Sequence, residues 1–247
     1  MSQLLDRQSL WASFSEPTAL LVAWQNPDTR TYVLLGRAYA YPNGGYEFKY
    51  LPEVSNNANF RPIPGFSDVT KVYTSKVLFP FFAGRVMSSK RPDRKEWLDK
   101  LNLPENAAPF EILRRSFGKR VADTYEMFAE PDIDRVTGSL TFLVPTHGLR
   151  YMTDEARAYV DRDLDVGEPV GVVAEPANAA DPRAQGIWTA GGHKIGFVPA
   201  PVLDYVALQG VYGKFQAHVA HINRRSDGLH LRVLIRLTWA PAEIQPG

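Results

Sequence analysis

Short runs of β-forming residues, each stopped by a tight-turn signal, constrain this chain more than any other feature. Residues 20–24 and 31–39 flank Asn26-Pro27-Asp28, and Pro42-Asn43-Gly44-Gly45 leads into the alternating Tyr46, Phe48 and Tyr50. Later, Gly191-Gly192 separates residues 187–189 from 194–198, and Ser226-Asp227-Gly228 separates 215–222 from 229–239. Asn, Asp and Gly tolerate the backbone of tight hairpins, while β-branched and aromatic neighbours favour a pleated strand. The pattern predicts antiparallel hairpins in both halves of the chain.

Helical signals interrupt the strands. Residues 51–70 are rich in Pro, Asn and Gly and read as an irregular loop. Ser75 is then placed to cap a helix carrying Val77, Leu78, Phe81 and Phe82, with Pro80 in its first turn. Pro92 opens a second helix with Trp97, Leu98 and Leu101 on one face. Pro109 opens a third with Ile112, Leu113 and Phe117, ended by Gly118. Strands follow at 124–128, 140–144 and 170–174, and residues 199–209 suit a short helix with Val202, Leu203, Val206 and Leu208 apolar. The turn-rich stretch 132–138 is the expected domain boundary. The fold class is therefore α+β: a small strand-rich domain with a helical end over 1–138, then an OB-like β-barrel with a short helix over 139–247.

Composition limits what such domains do. A hydrophobic fraction of 45% with 13 Phe, 11 Tyr and 5 Trp supports packed cores, and no apolar run approaches the roughly 18 residues of a membrane helix. The start, MSQLLDRQSLW, lacks the basic and apolar parts of an export signal. The absence of cysteine excludes disulfides and thiolate zinc sites, so a cytoplasmic protein is expected. A net charge of +1 excludes a uniformly basic coat. Locally, residues 71–120 hold 12 Lys/Arg against 5 Asp/Glu, and residues 210–240 hold 5 against the single Asp227. If both stretches lined one groove, binding to single strands would fall steeply with salt.

Catalytic motifs are absent. There is no GxSxG elbow, no GxxxxGK[ST] phosphate loop and no HExxH; Gly210-Val-Tyr-Gly213-Lys214 has neither the spacing nor the following Ser or Thr. His218 and His221, three apart on a strand, point to opposite faces and make a poor metal pair. The expectation is a non-enzymatic chain with no cofactor and no metal.

Three blocks in the second half carry a resemblance: HGLRYM from His147, EPANAADPRAQGIW from Glu175 and GGHKIGFVP from Gly191. Their order and spacing resemble the HIRAN domain over roughly 147–239. That family is an OB-like barrel, found alone in bacteria and fused to chromatin-remodelling helicases, where it captures the 3′-hydroxyl end of single-stranded DNA. The resemblance implies DNA-binding roles for Arg150, Tyr151, Met152, Asn178, Asp181 and Phe197. Arg150 would meet phosphate, Tyr151 would stack on a base, and Asp181 would accept the terminal hydroxyl. Met152 and Ala180 stand where DNA-binding relatives have aromatic rings. A lysine expected after Gly196 is replaced by the run Val198, Pro199, Ala200.

The first half resembles the N-terminal subdomain of HipA-type kinases, through the stretch from Leu21 to Tyr50, LFPFFAGRV from Leu78 and PFEILRRSFGKRVADTYEMFAEP from Pro109. No kinase core follows, so phosphoryl transfer is not expected. Two functions follow from these resemblances. One is a protein that binds single-stranded DNA or DNA ends in repair or defence. The other is an antitoxin-like regulator that binds a HipA-type kinase or another effector through the first domain. A membrane partner is not expected.

Overall fold

The computed structural model describes residues 18–42, 44–57, 60–209, 213–223 and 229–241. It divides into two compact units, Met1–Phe128 and Ala129–Gly247. Together they make a mixed α+β protein, rich in strands and with few helices.

In the first unit, β1 (Thr18–Gln25), β2 (Tyr32–Ala40), β3 (Tyr46–Tyr50), β4 (Tyr73–Ser75) and β5 (Tyr125–Ala129) form a sheet in the order β4-β3-β2-β1-β5. The β1–β2 hairpin turns on Asn26, whose side-chain oxygen accepts from the backbone N–H groups of Asp28 (2.9 Å) and Thr29 (3.3 Å). This is the Asx turn that Asn-Pro-Asp predicts. Phe48 stands at the centre of the core, with ring centroids of Phe66, Tyr50 and Phe82 at 4.7, 4.9 and 5.8 Å. Gly36 makes room for it: a Cβ there would lie 3.0 Å from the Phe48 ring and 2.4 Å from the Lys49 carbonyl.

The irregular stretch after β3 is anchored by one hydroxyl. Tyr50 donates to the Phe66 carbonyl and accepts from the Ile63 N–H, both at 2.7 Å. Burial pushes its phenol up to about 12. Apart from a 3₁₀ turn at Pro52–Asn56, this stretch is loop, as its composition implies.

The helices differ in detail from the sequence reading. Ser75 ends β4 instead of capping a helix, and its hydroxyl accepts from Val77 N–H at 3.1 Å. Helix α1 spans only Pro80–Ala83, because a proline is tolerated at the first helical position and forces the preceding Phe79 into an extended conformation. Helix α2 covers Arg94–Lys100 and buries Leu98; α3 covers Pro109–Ser116 and buries Ile112 and Leu113. The left-handed residue that ends α3 is Phe117 (φ 56°), one position before the expected glycine, and Gly118 shares that conformation.

In the second unit seven strands follow the order β10-β9-β8-β11-β12-β7-β6. They are β6 (Asp132–Ile133), β7 (Leu140–Pro145), β8 (Pro169–Ala174), β9 (Gln185–Thr189), β10 (Lys194–Phe197), β11 (Gly213–Ile222) and β12 (Val233–Pro241). The break between units falls at Phe128/Ala129, ahead of the expected 138/139. The polar stretch taken for a boundary is a hairpin: the Asp134 carboxylate accepts from Val136 and Thr137 N–H, and residues 132–133 pair with 140–141 of β7. Helix α4 (Asp154–Arg162) was not anticipated. Thr153 caps it by accepting from Ala156 N–H at 3.2 Å, and Asp154 and Glu155 lie in its first turn, where acids favour the helix dipole. Helix α5 (Ala200–Ala207) follows Pro199 as expected. The turn at Ser226-Asp227-Gly228 lies outside the described residues; β11 and β12 on either side pair antiparallel.

Two backbone hydrogen bonds of 2.9 Å join His147, just past β7, to Phe197 at the end of β10. The approach requires Gly196, which has φ +139° and whose Cβ would lie 2.5 Å from the His147 carbonyl oxygen. Gly196→Ala should therefore destabilise the protein by about 2–4 kcal/mol. Tyr50→Phe should cost a similar amount, about 2–4 kcal/mol, by stranding two buried backbone groups. Urea denaturation checks both, and a change below about 0.5 kcal/mol in either would refute the corresponding account.

Candidate nucleic-acid interface

The His147–Phe197 bridge fixes where the chain turns outward. Gly148 (φ +77°) precedes a single 3₁₀ turn at Leu149–Tyr151, whose Leu149 is buried. With Leu149 holding the inner side, Arg150 and Tyr151 are left exposed, and 70% of Tyr151 is accessible. The two side chains order each other. The Arg150 guanidinium lies 4.6 Å from the Tyr151 ring centroid and donates to its hydroxyl. Arg157 of α4 braces the turn by donating to the Arg150 carbonyl at 2.9 Å. A Cβ on Gly148 would stand 3.3 Å from the Phe197 ring and 3.9 Å from the Tyr151 ring, so both rings reach toward this bare α-carbon.

Phe197 leads to groups that the sequence reading missed. Lys194 lies 3.9 Å from the Phe197 ring centroid and 5.7 Å from that of Trp188, and its Nζ reaches both Glu175 oxygens, at 2.6 and 2.7 Å. Lys194 lies on the N-terminal side of Gly196, whereas the lysine sought in the sequence was on the C-terminal side. The hydrogen bond from Lys194 holds the Glu175 carboxyl below its usual range, against a desolvation that would raise it; Asn178 adds to the lowering. Asn178 donates to Glu175 at 3.3 Å.

The loop at 175–184 closes on itself through Glu175 N–H to the Ala184 carbonyl and Ala184 N–H to the Asp181 carbonyl, both 2.9 Å. The Asn178 side-chain oxygen accepts from Ala180 N–H (3.0 Å) and Asp181 N–H (3.3 Å). Asn178 thus builds the loop, as Asn does in Asx turns. The Asp181 carboxylate accepts from Arg183 through its backbone N–H (2.9 Å), Nε (3.2 Å) and one Nη (3.2 Å). The other Nη of Arg183 donates to Asp204 of α5 at 2.6 Å. Burial pushes the Asp204 carboxyl up, opposed by Arg183.

Of the six residues expected in the site, Arg150, Tyr151 and Phe197 gather around Gly148. Asn178 and Asp181 connect to them through Glu175 and Lys194. Met152 is half-buried and extended, leading from the turn into α4. Lys194, Glu175 and Arg183 are each polar residues inside the three sequence blocks, and only folding shows which of them pair.

The basic stretch at 71–120 is largely occupied within the first unit. The Arg85 side chain is 1% exposed and forks onto Asp123 (2.8 and 3.0 Å) against the Phe81 ring. Arg91, Lys95, Lys100 and Lys119 have carboxylate partners in Asp93, Glu105, Glu96 and Glu126, and Arg114 and Arg115 share Glu111. In the second stretch Lys214 and Arg236 are exposed, while Arg232 pairs with Asp161. His221 is engaged with Asn223 at 3.1 Å. Among the described residues no group of three or more His, Cys, Asp or Glu is placed to hold a metal, and no helix is long and apolar enough to cross a membrane.

No curated protein matches the chain. Among solved structures, a protein from Lactobacillus plantarum is similar at 19% identity, over 42% of this chain and 100% of its own, with a TM-score of 0.31. The HIRAN domain of human HLTF is similar at 20% identity, over 43% of this chain and 78% of its own, with a TM-score of 0.30. The resemblance of the first half to HipA-type kinases finds no support in these comparisons. Residues 139–205, which hold the Gly148 turn, the 175–184 loop and the Asp181–Arg183–Asp204 chain, match the family model of the HIRAN domain.

Proposed function

We propose that the second unit binds single-stranded DNA at its 3′-hydroxyl end, and that the chain acts by binding, without catalysis. The observation that carries this reading is the ordered, exposed pair of Arg150 and Tyr151 beside Phe197. An exposed ring held by a neighbouring guanidinium offers a stacking surface whose conformational cost is already partly met, and the guanidinium keeps donors for a phosphate. The HIRAN match adds the same expectation, since that family binds DNA. In this reading the last base stacks on Tyr151, Arg150 meets a backbone phosphate, and Asp181 accepts the terminal hydroxyl. The strands of the unit curl into an OB-like barrel, joined where His147 meets Phe197.

Tyr151→Ala should weaken binding by roughly 1–3 kcal/mol, the worth of one stacked base. Arg150→Ala should weaken every single strand by a similar factor, whatever its end. Fluorescence anisotropy with linear and circular oligonucleotides measures both, and equal affinity of the wild type for circles and linear strands would sink the end-binding reading.

Salt should matter only moderately. The cations of the first stretch are largely paired, and Lys194 is held by Glu175. Two or so phosphate contacts give a slope of log affinity against log salt of about −1.4 for a single strand. A slope steeper than about −4 would place the contact surface elsewhere.

A further inference from the structure

We infer that Arg183 sets how sharply this site distinguishes a 3′-hydroxyl from a 3′-phosphate end, an inference that rests on the end-binding reading above. A bare carboxylate discriminates strongly, because it accepts from a hydroxyl but repels a phosphate of about −1.5 to −2 charge. Asp181 is not bare. Both of its oxygens receive the Arg183 side chain, at 3.2 Å from Nε and 3.2 Å from one Nη, and Oδ1 also receives the Arg183 backbone N–H.

The guanidinium is fixed in that position from the other side. Its second Nη donates to Asp204 at 2.6 Å, and Asp204 belongs to α5, a regular helix that buries Val202, Tyr205 and Val206. The planar fork of arginine makes both contacts at once, which a lysine ammonium on a flexible stem does less well. Arg183 therefore cannot follow solvent as an isolated surface arginine does, although 59% of its side chain is accessible.

Two consequences follow for an arriving end. The positive charge offsets the repulsion that Asp181 would exert on a terminal phosphate. A carboxylate has about four lone-pair sites, and those left free still accept a hydroxyl. Arginine has five N–H donors, of which three are engaged here, and the remainder are available to a phosphate oxygen. The wild-type site thus tolerates a 3′-phosphate better than Asp181 alone would, and Arg183 narrows the preference for the hydroxyl.

The test uses the full chain and three labelled oligonucleotides of one sequence: 3′-hydroxyl, 3′-phosphate and covalently circular. In Arg183→Gln the ratio of Kd for phosphate to Kd for hydroxyl should rise about three- to tenfold over wild type, the size expected for removing one charge near a doubly charged group close to the surface. Arg183→Lys, which keeps the charge, should hold the ratio nearer to the wild-type value. Should Arg183→Gln alone unfold the protein by stranding Asp204, the double variant Arg183→Gln with Asp204→Asn is read in the same way. An unchanged ratio, with linear strands still preferred over circles, overturns the inference and leaves end binding intact. Equal binding of circles and ends by the wild type removes the end-binding reading and the inference together.

Discussion

The paired backbone hydrogen bonds between His147 and Phe197 are the constraint on which the second unit's surface depends. They bring the chain leaving β7 against the end of β10, two segments that lie far apart in the sequence. Gly196 permits the approach, since any side chain there would collide with the His147 carbonyl. From that fixed point Gly148 reverses the chain, Leu149 is buried, and the next two side chains are turned outward. Arg150 and Tyr151 owe their position to backbone geometry, and Phe197 joins them because it is itself one partner of the bridge.

The fate of the charges follows from pairing rather than from number. Residues 71–120 carry a clear excess of cations in sequence, yet Arg85 is inside the first unit and most of the others meet carboxylates. Exposed pairs of this kind contribute little to stability, roughly 0–1 kcal/mol each, but they lower the field available to a polyanion. Cations lie over aromatic rings in both units, Lys71 over Tyr73 in the first and Arg150 over Tyr151 and Lys194 over Phe197 in the second. That arrangement of cation and ring is not captured by a count of lysines and arginines.

How much of this was legible in the sequence depended on whether the cause was local. Asn26 and the Gly191-Gly192 pair announced their hairpins, because a turn is decided by the residues within it. The helices after Pro92, Pro109 and Pro199 were found from a fixed φ angle and a run of apolar residues. Helix α4 was missed although Thr153, Asp154 and Glu155 form a capping signal, because only Ala156 and Val160 are buried along it and no apolar stripe marks it. The Asp134 hairpin was read as a boundary for the opposite reason: its polar turn looked like a linker, and its pairing with β7 is not visible locally. Within the candidate site the three blocks were recognised, but the link from Phe197 through Lys194 and Glu175 to Asn178 crosses strands and loops. Asp181 is legible in the sequence without Arg183, whose contacts to Asp181 are local but whose anchor from the other side, Asp204 of α5, is not.

The aromatic residues of the two units show how the same side chain is assigned opposite roles. Tyr50 buries its ring against Phe48 and uses its hydroxyl to satisfy two backbone groups, so its polarity is spent inside the fold. Tyr151 is joined to Arg150 at both its ring and its hydroxyl and remains at the surface. Burial of a tyrosine ring would contribute roughly 1.5–3 kcal/mol, so leaving one exposed forgoes stability unless another contact uses it. The guanidinium recovers part of that through a cation–π contact, about 0.5–1 kcal/mol at an exposed site. It also removes rotamer freedom that a ligand would otherwise have to restrict. An exposed ring that is already ordered is a poor device for stabilising a fold and a good one for receiving a flat partner, and this asymmetry makes the Gly148 turn the strongest candidate for contact with a nucleobase.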